Sequence, residues 1–123
     1  MEDREKLKEW KEKFLSYSKH IIVEGKNDKK ALVTIGYNPE LIIVYNAKGL
    51  GIVEFCEDIA KSCPDVVILT DFDDEGKKLY RQFVTNFERL GVKVDRVLRE
   101  MLRRYSHISH IEGLDTYLRN LGL

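Results

Sequence analysis

The chain has 123 residues, 43% hydrophobic and 34% charged, which suits one folded domain with a single core and excludes disordered or fibrous classes. Lys plus Arg and Asp plus Glu each number 21, for a formal net charge of zero, so bulk electrostatic capture of nucleic acid is excluded and any phosphate must be met by a local patch or through metal. No apolar run approaches the roughly 20 residues of a membrane span, and the charged start from Met1 to Lys13 has no signal-peptide core, so a cytoplasmic location is expected.

Leu7, Trp10, Phe14 and Tyr17 recur at helical spacing among charged residues, predicting an amphipathic first helix packed through this stripe. From His20 the pattern changes to short apolar runs alternating with amphipathic stretches. Ile21 to Val23 predicts a strand and Asp28 to Ile35 a helix; Leu41 to Val44 predicts the second strand and Gly51 to Lys61 the next helix. Cys56 and Cys63, within and just after that helix, read as packed, reduced thiols. Val66 to Leu69 predicts the third strand. Glu75 to Leu90 follows as a helix with Leu79, Phe83, Phe87 and Leu90 on one face, and Val92 to Val94 as the fourth strand. The first three strands are continuously apolar and largely β-branched, as in a parallel sheet covered on both faces. Beyond them Arg96, Arg99, Arg103 and Arg104 form a locally basic stretch, a candidate backbone-binding patch or a solvated helix face. Ile111 to Leu123 predicts a last short helix packed through Leu114, Leu118 and Leu121. The expected organisation is a helix over 1–19, an α/β core over 20–97 and a helical extension over 98–123, all in one globular unit.

Alternation of this kind predicts an α/β fold with a four-stranded parallel sheet and right-handed crossovers, and ligands bind such sheets beyond the carboxyl ends of the strands. With strand order 2-1-3-4, the loops after strands one and three meet. The first presents Glu24-Gly25-Lys26-Asn27-Asp28. A carboxylate at a buried strand end suits a general acid or base, or is an ordinary strand-end residue. Gly25 allows close backbone approach, Lys26 can meet a phosphate, and Asn27 or Asp28 can cap the helix. The second loop presents Asp71-Phe72-Asp73-Asp74-Glu75-Gly76. Clustered carboxylates repel one another and are relieved by a hard divalent cation such as magnesium, which Asp71 and Asp73 can share. Glu75 continues the spacing toward a second ion, and Asp74 is expected to cap the next helix. A receiver-like acidic loop is the alternative. His107 and His110 have metal-compatible spacing but no companion cysteine or third histidine beside them, which argues against zinc.

A strand ending in Glu24-Gly25-Lys26 and, two strands later, a strand followed by Asp71-x-Asp73-x-x-Gly76 resemble the Toprim domain, a Rossmann-like fold shared by topoisomerases, bacterial primases, overcoming-lysogeny-type nucleases and a small ribosomal-RNA maturation ribonuclease. The similarity covers about Ile21 to Val97 and, in its Glu-Gly-Lys-x-Asp run, lies toward the primase and maturation-nuclease end. It implies that Glu24 is the acid/base residue and that Asp71 and Asp73 bind magnesium, with manganese as an alternative ion; Glu75 joins the expected metal set only through its spacing. By analogy with the family, Asn46, Lys48 and the Gly49 turn after strand two are substrate contacts, or the glycine marks a plain helix-entry turn. Gly25 and Lys26 of the first loop are expected beside them, and Lys77 either reaches a backbone phosphate or lies on a solvated helix face. The expected function is magnesium-dependent phosphoryl transfer on RNA or DNA, with nuclease action the simplest form. The alternative is a binding module that keeps the metal cleft to hold nucleic acid, or a protein partner that completes the site, without cutting.

Overall fold

The structure is a computed structural model and describes residues 2–123. Four parallel strands, β1 (His20–Val23), β2 (Ile42–Val44), β3 (Asp65–Ile68) and β4 (Lys93–Asp95), lie in the order β2-β1-β3-β4. The crossovers are α2 (Lys26–Ile35), α3 (Ile52–Ala60) and α4 (Asp74–Arg89), preceded by α1 (Glu2–Ser16) and followed by α5 (Val97–Tyr105) and α6 (Leu114–Asn120). Ile22 stands opposite both Ile43 and Ile68, so β1 and β3 are the inner strands and their carboxyl ends adjoin.

The period of two along the strands divides the apolar side chains between two cores. Ile21, Val23, Val67 and Leu69 pack against α1, α2, α5 and α6. Ile22, Val66, Ile68 and Val94 face α3 and α4. On the first side Trp10 and Phe14 are fully buried and stacked, with ring centroids 4.7 Å apart. The Trp10 indole N–H donates to the Leu98 carbonyl at 3.0 Å, which satisfies the one polar atom of that ring and ties α1 to α5. On the second side Phe55, Phe83 and Phe87 are fully buried and Tyr45 sits edge-on to the first two. Each such side chain contributes about 1.5–3 kcal/mol by leaving water. Cys56 belongs to this core; burial pushes its thiol up to about 12, which makes it an inert packing residue. Cys63 is also buried and free.

Several boundaries differ from the sequence expectation. Tyr17 lies past the end of α1 but still packs against the core that holds Leu7, Trp10 and Phe14, while its hydroxyl donates to Asp95 Oδ2 at 3.0 Å. Leu41 closes a 3-10 turn over Pro39–Leu41, in which the Asn38 side chain accepts the Glu40 N–H, so β2 starts one residue later. Leu90 ends exposed beyond α4. α2 begins at Lys26, so Asp28 lies inside its first turn and neither it nor Asn27 is the N-cap; Gly25 is, and its N–H donates to Asp28 Oδ2 at 3.1 Å. The cap of α4 is Asp73 rather than Asp74: Asp73 is extended, and its Oδ1 accepts the Gly76 N–H at 2.8 Å. No helix among the described residues is long and apolar enough to cross a membrane.

Candidate metal centre at the sheet mouth

Glu24 directly follows β1 and the Asp71–Asp73 loop follows β3, so the pairing of these strands brings the two loops together. The half-buried Glu24 carboxylate accepts the Asp71 N–H through Oε2 at 2.8 Å. Its own carbonyl accepts the Asn46 N–H at 3.0 Å, which fixes the loop after β2 to the same mouth. A third connection comes from the segment after α5. The Phe72 N–H donates to the Ser109 carbonyl, and the Ile111 N–H donates to Asp71 Oδ1, both at 2.8 Å. His110, held between those two contacts, brings Nε2 to 3.3 Å from Asp73 Oδ2. Asp71, Asp73 and His110 thereby offer one ligand atom each within 4.8 Å of one another.

Gly76 sets the approach of α4 to this loop. A Cβ there would lie 2.1 Å from the Asp71 carbonyl oxygen and 2.5 Å from its carbon, so the first turn of α4 packs directly on the Asp71 backbone. The Thr70 hydroxyl donates to the Gly76 carbonyl at 2.8 Å and closes the turn from beneath. The glycine of the Asp-x-Asp-x-x-Gly run is thus a packing requirement.

Beneath the loop lies Arg99, 7% exposed. It donates to the Thr70 carbonyl at 2.5 Å and the Asp71 carbonyl at 3.1 Å. Its guanidinium stacks between the Phe72 and Tyr80 rings, 4.5 and 4.3 Å from their centroids. Burial lowers its pKa to about 10, which leaves it protonated at neutral pH. The basic stretch expected after β4 is therefore divided: Arg96 and Arg103 are exposed, Arg104 lies over Tyr105, and Arg99 is an internal support. Its residue type is that of a surface patch, but the turn of α5 that carries it faces the sheet.

Electrostatics make the mouth receptive to a cation. Burial raises the Glu24 pKa, and the charges of Asp71, Asp28 and Asp73 add to the rise against the opposing Asp71 N–H. Asp28, 6% exposed, is raised by burial and by the Asp71 and Glu112 charges, with the Gly25 N–H opposing. Glu24, Asp28, Asp71 and Glu112 line a cleft of about 550 Å³ together with Gly25, Lys26, Asn46 and His110, and Asp73 adjoins it through His110. Two carboxylates and an imidazole at an open cleft fit a divalent cation that keeps sites for water or phosphate oxygen.

Of the residues expected at the site, Glu24, Asp71, Asp73, Gly25, Lys26 and Asn46 come together. Glu75 is exposed on the first turn of α4, outside the converging three. Lys48 and Gly49 are exposed beyond the cleft, where Gly49 takes φ +67° before α3. Lys77 lines a different groove on the far side of Phe72. Asp28, His110 and Glu112 line the cleft without having been assigned to it from sequence. Asp28 carried a signal, as the last acid of the Glu24 loop. His110 and Glu112 lie far along the chain and join only because the Ser109 to Ile111 backbone is bonded to the acidic loop; His107 stays outside the cluster.

The family model of the Toprim domain matches residues 19–101. A "UPF0292 protein" of Thermoplasma volcanium is 38% identical over 94 residues, covering 76% of this chain and 77% of that protein. A second, from Methanocaldococcus jannaschii, is 34% identical over 102 residues, covering 81% and 78%. Among solved structures, a putative protein from Aquifex aeolicus matches with a TM-score of 0.74 and 29% identity over 86% of this chain and 95% of its own.

Proposed function

The chain belongs to the Toprim domain family and to the UPF0292 proteins, and on that premise we propose that its sheet mouth is a magnesium-dependent site for phosphoryl transfer on nucleic acid, most simply hydrolysis. The observation that carries this reading is the convergence of Asp71, Asp73 and His110 beside Glu24, each acid held by a backbone amide. Asp71 and Asp73 would hold the ion, with manganese a second choice because His110 adds an imidazole nitrogen. Such a cation supplies neutralisation of the charge that builds on a transferring phosphoryl group.

The remaining chemistry falls to side chains. Glu24 is half-buried, and its raised pKa suits proton transfer near neutral pH better than an exposed glutamate would. The Asp71 N–H bond to Oε2 orients it toward the cleft. Lys26, exposed at the mouth, is placed to meet a phosphate oxygen, and Gly25 leaves open space beside it. Binding without cutting is the second reading, favoured by the net charge of zero, which gives no bulk grip on a substrate.

The test is incubation of structured RNA, single strands and duplex DNA with magnesium or manganese. The wild type is expected to cleave one of these classes. Asp71→Asn/Asp73→Asn is expected to be inactive and to lose metal binding by calorimetry. Glu24→Gln should lose turnover by about 100-fold or more while still binding metal. Affinity without products under every ion would establish the second reading, and undiminished cleavage by Glu24→Gln would remove Glu24 from the chemistry.

A further inference from the structure

α4 leaves the carboxyl end of β3 and α5 that of β4, and between the two helices runs a groove of about 480 Å³. Its rim carries Lys77 and Arg81 from α4 and Arg96 and Arg103 from beside and along α5, all exposed, with Glu100 as the one lining carboxylate. The protein as a whole has no net charge, so this concentration of cations is local. It also works against α4. Lys77 and Arg81 are one turn apart on the surface of that helix, and like charges at that spacing destabilise a helix. Lys77 and Arg81 have no ion-pair partner among the described residues. Arg96 pairs with Glu88 and Arg103 with Glu100, but both pairs are exposed and exchange readily for another anion.

The groove starts at the metal loop itself. Phe72, between Asp71 and Asp73, forms part of its floor, and Arg99 lies in that floor while donating to the Asp71 carbonyl. We propose that this groove binds the phosphodiester backbone of a nucleic-acid strand whose adjoining phosphate lies in the metal cleft, a role that rests on the phosphoryl-transfer reading of that cleft. A polymer suits it better than a small anion, because the cations extend away from the loop along two helices. Phe72 and Tyr80 each turn one face to the Arg99 guanidinium, and the exposed groups of the rim are cations, so the groove grips by charge. Recognition there is of backbone rather than sequence.

Fluorescence anisotropy in EDTA tests this apart from any metal chemistry, using fluorescein-labelled single-stranded RNA, single-stranded DNA and the two corresponding duplexes. Lys77→Gln/Arg81→Gln/Arg103→Gln removes three exposed cations of the groove. Lys8→Gln/Lys13→Gln/Lys61→Gln removes the same charge from exposed positions elsewhere. The groove variant is expected to lose about tenfold or more in affinity and to flatten the dependence of log K on log salt by about two. The control should stay within about twofold. Thermal melts matching the wild type establish that both variants are folded. Equal weakening of the two variants, an unchanged groove variant, or no binding of any probe by the wild type would overturn the proposal. In EDTA, where no cation screens them, Asp71 and Asp73 repel the adjoining phosphate, so Asp71→Asn/Asp73→Asn is expected to bind at least as tightly as the wild type. Absence of cleavage would therefore leave the groove standing, and a failed groove would leave the metal site standing.

Discussion

At the scale of single residues, the site is positioned by backbone contacts that admit few side chains. The atom nearest a Cβ on Gly76 is a main-chain carbonyl oxygen, which cannot swing aside as a side-chain end can. Gly76→Ala is expected to cost about 1–3 kcal/mol in urea unfolding and to weaken manganese binding by displacing Asp71. Gly25→Ala at the same mouth meets nothing within 4 Å and should stay within about 0.5 kcal/mol of the wild type. Equal stability of the two variants would mean that α4 can move off the loop. Arg99 acts from below: Arg99→Met keeps much of the bulk but leaves the Thr70 and Asp71 carbonyls without their charged donor. The expected loss is about 1–3 kcal/mol by thermal or chemical unfolding. Arg99→Lys should recover only part of it, since an ammonium cannot reproduce the two-pronged contact or the stacking between rings.

At the scale of elements, α1 and the segment after α5 extend the core beyond a minimal parallel sheet. α1 contributes Leu7, Trp10 and Phe14 to the core on its side. Lys11 Nζ donates to the Leu123 carbonyl and Arg4 Nε to the Leu121 carbonyl, so the two ends of the chain are joined. Trp10→Phe is expected to cost about 0.5–1.5 kcal/mol through the lost bond to Leu98, and Trp10→Ala about 3–5 kcal/mol through the cavity. Chemical denaturation distinguishes them; a small effect of Trp10→Ala would show that α1 is peripheral to the fold. The segment from Ser109 to Ile111 has the opposite role. It contributes little core of its own beyond Ile111 but supplies the backbone groups that seat Phe72 and Asp71.

At the scale of the molecule, two sets of carboxylates respond oppositely to pH. Burial pushes the Asp95 carboxyl upward, but bonds from Lys19, the Val97 N–H and Tyr17 outweigh it and hold it below the ordinary value. That stabilisation is present above the unfolded carboxylate range and is lost as pH falls through the lower folded value. Lys19 is raised by its bond to Asp95, so its contribution is present below the ordinary lysine range and lost as pH rises through the higher folded value. Tyr17, raised to about 12 by burial and by Asp95, loses its contribution on the same alkaline side. Asp95→Asn is expected to remove this cluster's share of both the acid and alkaline loss in urea titrations across pH. Unchanged acid dependence would show that Asp95 does not carry it. Glu24 and Asp28 have raised values, so their ionisation costs stability as pH rises through them. A cation among them should offset that cost. Saturating magnesium or manganese is expected to raise Tm, by the equivalent of about 2.7 kcal/mol at a hundredfold excess over Kd. Asp71→Asn/Asp73→Asn should show no such rise.

The sequence by itself determined the strands, their order and the meeting of Glu24 with Asp71 and Asp73. β-branched runs such as Ile21 to Val23 state a buried strand locally, and the rule of parallel crossovers then leaves few arrangements. The cap of α4 was misassigned because Asp73 and Asp74 are chemically equivalent in a string, and only backbone geometry tells which one reaches the Gly76 N–H. The meeting of His110 with Asp71 and Asp73, and of Arg99 with the backbone beneath them, was decided by tertiary structure alone. Each depends on how the chain after β4 returns across the sheet mouth, a long-range packing outcome that residue type and spacing do not encode. The same return path brought the arginines of α5 beside Lys77 and Arg81 of α4 into one groove next to the carboxylates.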